Sequence, residues 1–222
     1  MYPKQIMNTP RLFVAALLLA FTSGLFAATE SFDKLPVGKL PAPWQTGVTG
    51  TGDADWQIVA VADAPSGPHA LRQSGVGSYL WCAQPATPLR DGFVEVKAKA
   101  VSGKKDQSIG IVWRFTDANN YYLARSNSLE GNVVIYKFQD GKRTMLPVKG
   151  QPPTAKGVDI PVPAGAWHTM RVEFEGALFT VFFNGRQLFQ VEDTSFVNAG
   201  SVGLWTKADS VTLFDDFASG AK

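Results

Sequence analysis

The chain has one cysteine in 222 residues, Cys82, which excludes an intrachain disulfide. It has two histidines, His69 and His168, 99 positions apart, too few and too distant to suggest a zinc site. Neither has a spacing that ties it to Cys82 as a catalytic pair, so the thiol reads as a small buried residue. Charge of one sign is also missing: 21 Lys and Arg stand against 19 Asp and Glu. No G-x-S-x-G elbow, Walker loop, H-E-x-x-H or C-x-x-C occurs, and no amphipathic helix of useful length can be traced. These gaps remove the common hydrolase, nucleotide-binding and zinc-dependent classes.

The only long apolar run is at the amino terminus. Lys4 and Arg11 precede LFVAALLLAFTSGLFA, Leu12 to Ala27, which ends in small residues. That is the layout of a secretory signal, and the run is shorter than the ~20 residues a spanning helix needs. Residues 1–27 are therefore expected to be cleaved, leaving one domain over residues 28–222. Export to the periplasm or beyond, within a bacterial envelope, is expected, with no membrane attachment after cleavage. Removing the segment takes away two positive charges and leaves the mature chain near neutral, which argues against a nucleic-acid partner. Nothing calls for a second subunit, and a monomer is expected.

The remaining chain is rich in β-branched and aromatic residues punctuated by turn residues. The clearest stretch is QSIGIVWRFTDANNYYLARSNSLEGNVVIYKF, Gln107 to Phe138: three runs separated by Asp117–Asn120 and Ser128–Asn132, a three-strand meander. Ile109 to Phe115 is almost continuously apolar, with Arg114 its only charge, so this strand should be covered on both faces. If Arg114 pairs with Tyr122, Arg125 lies on the opposite face; a register one residue different brings Arg114 and Arg125 together. FVEVKAKAV, Phe93 to Val101, alternates cleanly, with Val94, Val96, Ala98 and Ala100 inward and Glu95, Lys97 and Lys99 toward water. Asp140–Arg143 and Asn184-Gly185 read as hairpin turns. Residues 30–57, with prolines at 36, 41 and 43, read as an irregular crossing with Trp44 and Trp56 pinned inward. Ser78 to Cys82 reads as a short strand leading to a proline-containing turn at Gln84 to Leu89. About a dozen short strands without helices define an all-β, antiparallel two-sheet sandwich.

Three segments, VWRFTDANNYYLAR, AWHTMRVEFEGALFTVFFNGRQLF and GSVGLWTKADSVTLFDDF, resemble the concanavalin A-like jelly-roll superfamily. Within it the chain is most similar to the laminin-G-like and 3-keto-disaccharide hydrolase group of secreted bacterial domains. The resemblance runs from about Phe32 to the end. It implies a jelly-roll sandwich and three functions: carbohydrate binding on a concave sheet face, hydrolysis of 3-keto-glycosides, or protein binding of the laminin-G kind.

The E-x-D-x-x-E motif of the laminarinase-type members is absent. Glu173 and Glu175 share a strand face but point away from Val172 and Phe174, as a solvent face would. The weak catalytic candidates are Glu130 and Asp216. For ligand binding the candidates are Arg114, Tyr122, Arg125, Asn127, Tyr136, Lys137 and Trp205, rings to stack on sugar C–H patches and polar heads to bond hydroxyls or a carboxylate. Alternative structural roles are core packing for Trp205 and a buried pairing of Arg114 with Asp215 or Asp216. No cofactor is indicated. Asp53 and Asp55 with backbone carbonyls could hold Ca²⁺, or simply make a turn.

Overall fold

The computed structural model describes residues 28–155 and 157–222; the expected signal segment lies outside them. Seventeen strands make up the described chain: β1 (Ala28–Glu30), β2 (Gly38–Lys39), β3 (Gln45–Asp53), β4 (Trp56–Ala60), β5 (His69–Gln73), β6 (Val76–Leu89), β7 (Gly92–Ser102), β8 (Ser108–Asp117) and β9 (Asn120–Asn127) in its first half. Then follow β10 (Asn132–Gln139), β11 (Lys142–Met145), β12 (Val158–Asp159), β13 (His168–Glu175), β14 (Leu178–Phe183), β15 (Arg186–Glu192), β16 (Gly200–Ala208) and β17 (Val211–Ala221). Sheet I runs β15-β14-β13-β7-β17-β5-β4-β2, with β1 also on β17, and sheet II runs β11-β10-β9-β8-β16-β6-β3, with β12 on β10. Every pairing is antiparallel. Among the described residues no helix is long and apolar enough to cross a membrane.

The tight turns follow from backbone freedom at the predicted places. Asp140-Gly141 and Asn184-Gly185 both sit at positive φ, 52° and 74°, then 49° and 74°, the pattern of a two-residue hairpin whose twist matches its strands. Between the sheets lies one apolar core. Sheet I supplies Val94, Val96, Ala98, Met170, Val172, Phe174, Phe179 and Val181, and sheet II supplies Ile109, Ile111, Trp113, Tyr122, Ala124, Ile135 and Leu204. The inward set expected for Phe93–Val101 is therefore correct. Cys82 is also in this core, and burial pushes its thiol well above the ordinary range.

Two expectations are corrected. The crossing over residues 30–57 contains a nine-residue edge strand, β3, paired with β6. Its sequence, QTGVTGTGD, lacks apolar alternation because only Thr49 is buried. The turn expected at Gln84–Leu89 is instead the end of the 14-residue β6. Pro85 and Pro88 fit there because the ladder to β16 shifts between Gly200 and Val202, and β3 has already ended at the Gln45–Ala83 pair, so no partner needs their missing N–H groups.

Sheet II also buries its other face. Val112, Leu123, Tyr121, Phe138 and Trp205 form a second apolar cluster with Tyr79, Trp81 and Met145 packed against it. Glycine makes room for the largest rings: a Cβ on Gly110 would lie 2.9 Å from the Trp205 ring, and one on Gly47 2.4 Å from that of Trp81. The sheet curls until its flanks touch. Arg143 of β11 lies 5.0 Å from the Tyr79 ring of β6, and Thr49 of β3 bonds both the Tyr121 hydroxyl (3.0 Å) and the Ala118 carbonyl in the β8–β9 turn. The concave hollow is thus filled along its middle by the protein's own side chains, and only its rim meets solvent.

Candidate functional site

The meander divides the candidate residues between two faces. β8 and β9 pair as Gly110–Arg125, Val112–Leu123 and Trp113–Tyr122, after which the register shifts. The shift centres on Arg114, a non-glycine residue at φ 47°. This left-handed bulge breaks simple alternation and turns the guanidinium toward the inter-sheet side, the face of Tyr122 and not of Arg125. Arg114 is 1% exposed. Its Nε donates to the Arg90 carbonyl (3.0 Å), Nη1 to that of Phe196 (2.7 Å) and Nη2 to that of Gly176 (2.6 Å), with Asp91 at 3.4 Å. The rings of Phe174 and Phe179 lie within 6 Å of its Cζ. Arg114 therefore ties three loops together at one end of the sandwich, and its acidic neighbour is Asp91, not Asp215 or Asp216.

Tyr122 and Lys137 share this side. The Tyr122 hydroxyl donates to Asp193 Oδ1 (2.6 Å) and accepts from the Phe196 amide (3.1 Å), while Lys137 Nζ reaches Asp193 Oδ2 (3.0 Å) and Ser195 Oγ (2.5 Å). Burial works to raise the Asp193 carboxyl, but hydrogen bonds from Ser195, Tyr122 and Lys137 outweigh it and hold it below its ordinary value. These three candidates anchor the segment at 193–196.

Arg125, Asn127, Tyr136 and Trp205 lie on the concave face. Trp205 is fully buried and stacks under Tyr79, with centroids 5.9 Å apart. Asn127 is occupied: Nδ2 donates to Asp106 (3.0 Å) and Glu130 (3.3 Å), and Oδ1 accepts the amides of Leu129 and Glu130, which caps the β9–β10 turn. Arg125 Nη2 donates to Glu130 Oε2 (2.9 Å) and the Tyr136 hydroxyl (3.1 Å), while its Nε and Nη1 are buried without partners among the described residues. Over the same tyrosine ring, at 4.5 Å, lies Arg143, whose Nη1 also lacks a partner among the described residues. Burial works to raise the exposed Glu130 carboxyl, but Arg125 outweighs it and keeps it lowered. The result is a continuous file at the rim: Tyr79, Arg143, Tyr136, Arg125 and Glu130. Lys207 stands nearby, paired with the buried Asp106 at 3.0 Å.

Arg143 and Tyr79 are the members that sequence reasoning missed. Arg143 reads as part of a hairpin turn and Tyr79 as one residue of a short strand; only the curl of the sheet joins them. Asp216 is remote from this file, in sheet I, where it pairs with Lys97 at 2.8 Å. Its neighbour Asp215 accepts from the amide (3.1 Å) and hydroxyl (2.8 Å) of Ser66. Glu173 and Glu175 pair with Arg171 and Lys222 on the outer face of sheet I. Asp55 accepts from Gln57 (2.7 Å) and Ser74 (2.7 Å), the bonding of an ordinary turn. Chemically, the rim offers cationic donors and one ionised acceptor beside the half-buried Tyr79, whose ring faces Trp205 and Arg143 cover. Glu130 is suited to accepting hydrogen bonds or a proton, not to acting as an acid at neutral pH.

Two layers of antiparallel sheet, one of them rolled, define the concanavalin A-like jelly-roll fold. Solved structures share it. A carbohydrate binding module, CBM66 from Bacillus subtilis, superposes with TM-score 0.63 at 17% identity, covering 80% of this chain and 95% of that one. The cellulose induced protein Cip1 gives 0.58 at 15% identity, covering 88% and 97%. A Bacillus licheniformis beta-glucanase gives 0.51 at 12% identity, covering 90% and 99%. At these identities the likeness concerns the fold. No protein-family model matches the sequence, and no curated protein matches it.

Proposed function

We propose that this chain is an exported β-sandwich domain that binds carbohydrate, and that the sugar rests at the rim of the rolled sheet, not deep within its concave face. The observation that carries the reading is the file Tyr79–Arg143–Tyr136–Arg125–Glu130. It places two rings, two guanidinium groups with nitrogens unpartnered among the described residues, and an exposed carboxylate side by side. A sugar presents hydroxyls for the Arg143 guanidinium and Glu130, and its C–H patches meet the half-buried edge of Tyr79, whose faces Trp205 and Arg143 already cover. The binding module and glucan-hydrolysing enzyme among the structural neighbours support this class of ligand. Retention on a panel of immobilised glycans tests it. Wild type should be retained on at least one glycan, and Arg143→Gln should weaken retention about tenfold while unfolding at the wild-type temperature. Glu130→Gln should weaken it about as much with a lower unfolding midpoint, since it also loses the ion pair to the buried Arg125, retention being measured well below that midpoint. Retention on no glycan, or variants that bind as wild type does, would overturn it. Export is tested separately by fractionation and by sequencing the amino terminus, expected at Ala28.

Hydrolysis of 3-keto-glycosides is the second reading. It is favoured by one contact: Asn127 Nδ2 bridges Glu130 and Asp106, which puts two carboxylates within reach of one another. Free sugar released from a 3-keto-glucoside, and lost in Glu130→Gln, would establish it; no turnover would remove it.

A further inference from the structure

The outer face of sheet I carries a feature that the rim does not explain. Clean alternation puts Lys99 toward water, yet it is 9% exposed. The connection after β4 folds over it, so that Asp63 receives two bonds from Lys99 Nζ, at 2.6 and 2.7 Å, and the Trp167 ring lies 4.9 Å away. Lys99, Leu213 and Arg72 stand in register across β7, β17 and β5. Neighbouring strands are about 4.8 Å apart, so the backbones of the two cationic residues lie about 5 Å on either side of Leu213. Around this row is a trough of about 480 Å³, floored by Val59, Val101, Val211 and Leu213. Its charged lining is Lys99, Arg72 and Asp63, two cations against one carboxylate.

The hydrogen bonding is incomplete. An ammonium has three donors, and Lys99 directs two of them to Asp63. Arg72 Nε is buried with no partner among the described residues. A buried donor left unpaired is costly, and an acceptor arriving in the trough relieves that cost. The acceptor that suits two cations is an anion, and the apolar floor suits a hydrocarbon body rather than a run of hydroxyls.

We propose that this trough is a second ligand site, independent of the rim, for a small organic acid: a carboxylate seated over Leu213 between Lys99 and Arg72, with its apolar body on the valines. Asp63 holds the lysine head in place and does not itself need to leave.

The test is a titration of the full mature chain with 3-phenylpropionate and with its uncharged isostere 3-phenylpropanamide, followed by amide shifts in two-dimensional NMR and by calorimetry at low salt. The acid should give saturable shifts at Arg72, Lys99 and Leu213, at least tenfold tighter than the amide, and should weaken in 0.5 M NaCl. Arg72→Gln, on a partly exposed strand position, should keep the wild-type unfolding temperature and weaken the acid at least fivefold. Equal binding of acid and amide, salt-independent binding, shifts confined to other parts of the chain, or an unchanged affinity in Arg72→Gln would each overturn the proposal.

Discussion

Arg143 lies 5.0 Å over the ring of Tyr79, although β10, β9, β8 and β16 separate their strands in sheet II. In a flat sheet that separation is five strand spacings, about 24 Å. The contact therefore measures how far the sheet has rolled, and the rolling converts a solvent face into a second core. Strand twist supplies the direction of the curl, and Gly47 and Gly110 make it possible by letting tryptophan rings lie on the backbone.

Trp205→Ala should act on stability before it acts on binding. The ring is fully buried among Val112, Tyr79 and Phe138, so its removal opens a cavity and should cost about 3–5 kcal/mol. Urea unfolding measures this. If the loss is under about 1 kcal/mol, the second core is not packed as described.

Gly110→Ala tests the same core from the backbone side. The added methyl meets the Trp205 ring and carbonyl at 2.9 Å, and the backbone there has no room to give. Overpacking of this kind costs about 1–3 kcal/mol, visible as a lower thermal midpoint and a shifted Trp fluorescence maximum.

Arg114→Gln should destabilise by about 3 kcal/mol without a change of glycan specificity in the protein that folds. The guanidinium serves the carbonyls of Arg90, Phe196 and Gly176, and shortening it leaves buried acceptors unpaired. Denaturant midpoints and glycan retention, measured on the same preparation, separate this clamp role from a binding role.

Stability should fall as pH drops below about 3.8, in part through Asp193. Its folded carboxyl is lowered from that value by Ser195, Tyr122 and Lys137, so the unfolded chain takes up the proton first. The contribution is present above the unfolded value and is lost as pH falls through the folded one. Asp193→Asn should therefore be less stable than wild type at pH 6, with the gap narrowing toward pH 3.

Much of the fold was readable from local pattern. Asn184-Gly185 and Asp140-Gly141 announce their hairpins, and Val94, Val96, Ala98 and Ala100 announce their inward face. What was hidden depends on contacts distant in sequence. The glycines and threonines of β3 pair only because β6 supplies an edge, and Arg114 escapes parity because a bulge places Trp113 and its own side chain on one side. The site was legible in part. Arg125, Tyr136 and Glu130 lie on or beside one hairpin and are found together, whereas Tyr79 is more than forty residues away and joins them by curvature alone. Lys99 looked like any outward lysine until the connection after β4 was seen to cover it.

The middle stretches of β8, β9, β10 and β16 are buried on both sides, each contributing to both cores. None can peel away without admitting water to two compartments at once, so no partly opened form of this region is cheap. Their amide protons should be the last to exchange, at rates set by global unfolding, with the edge strands β2, β11 and β15 exchanging long before them.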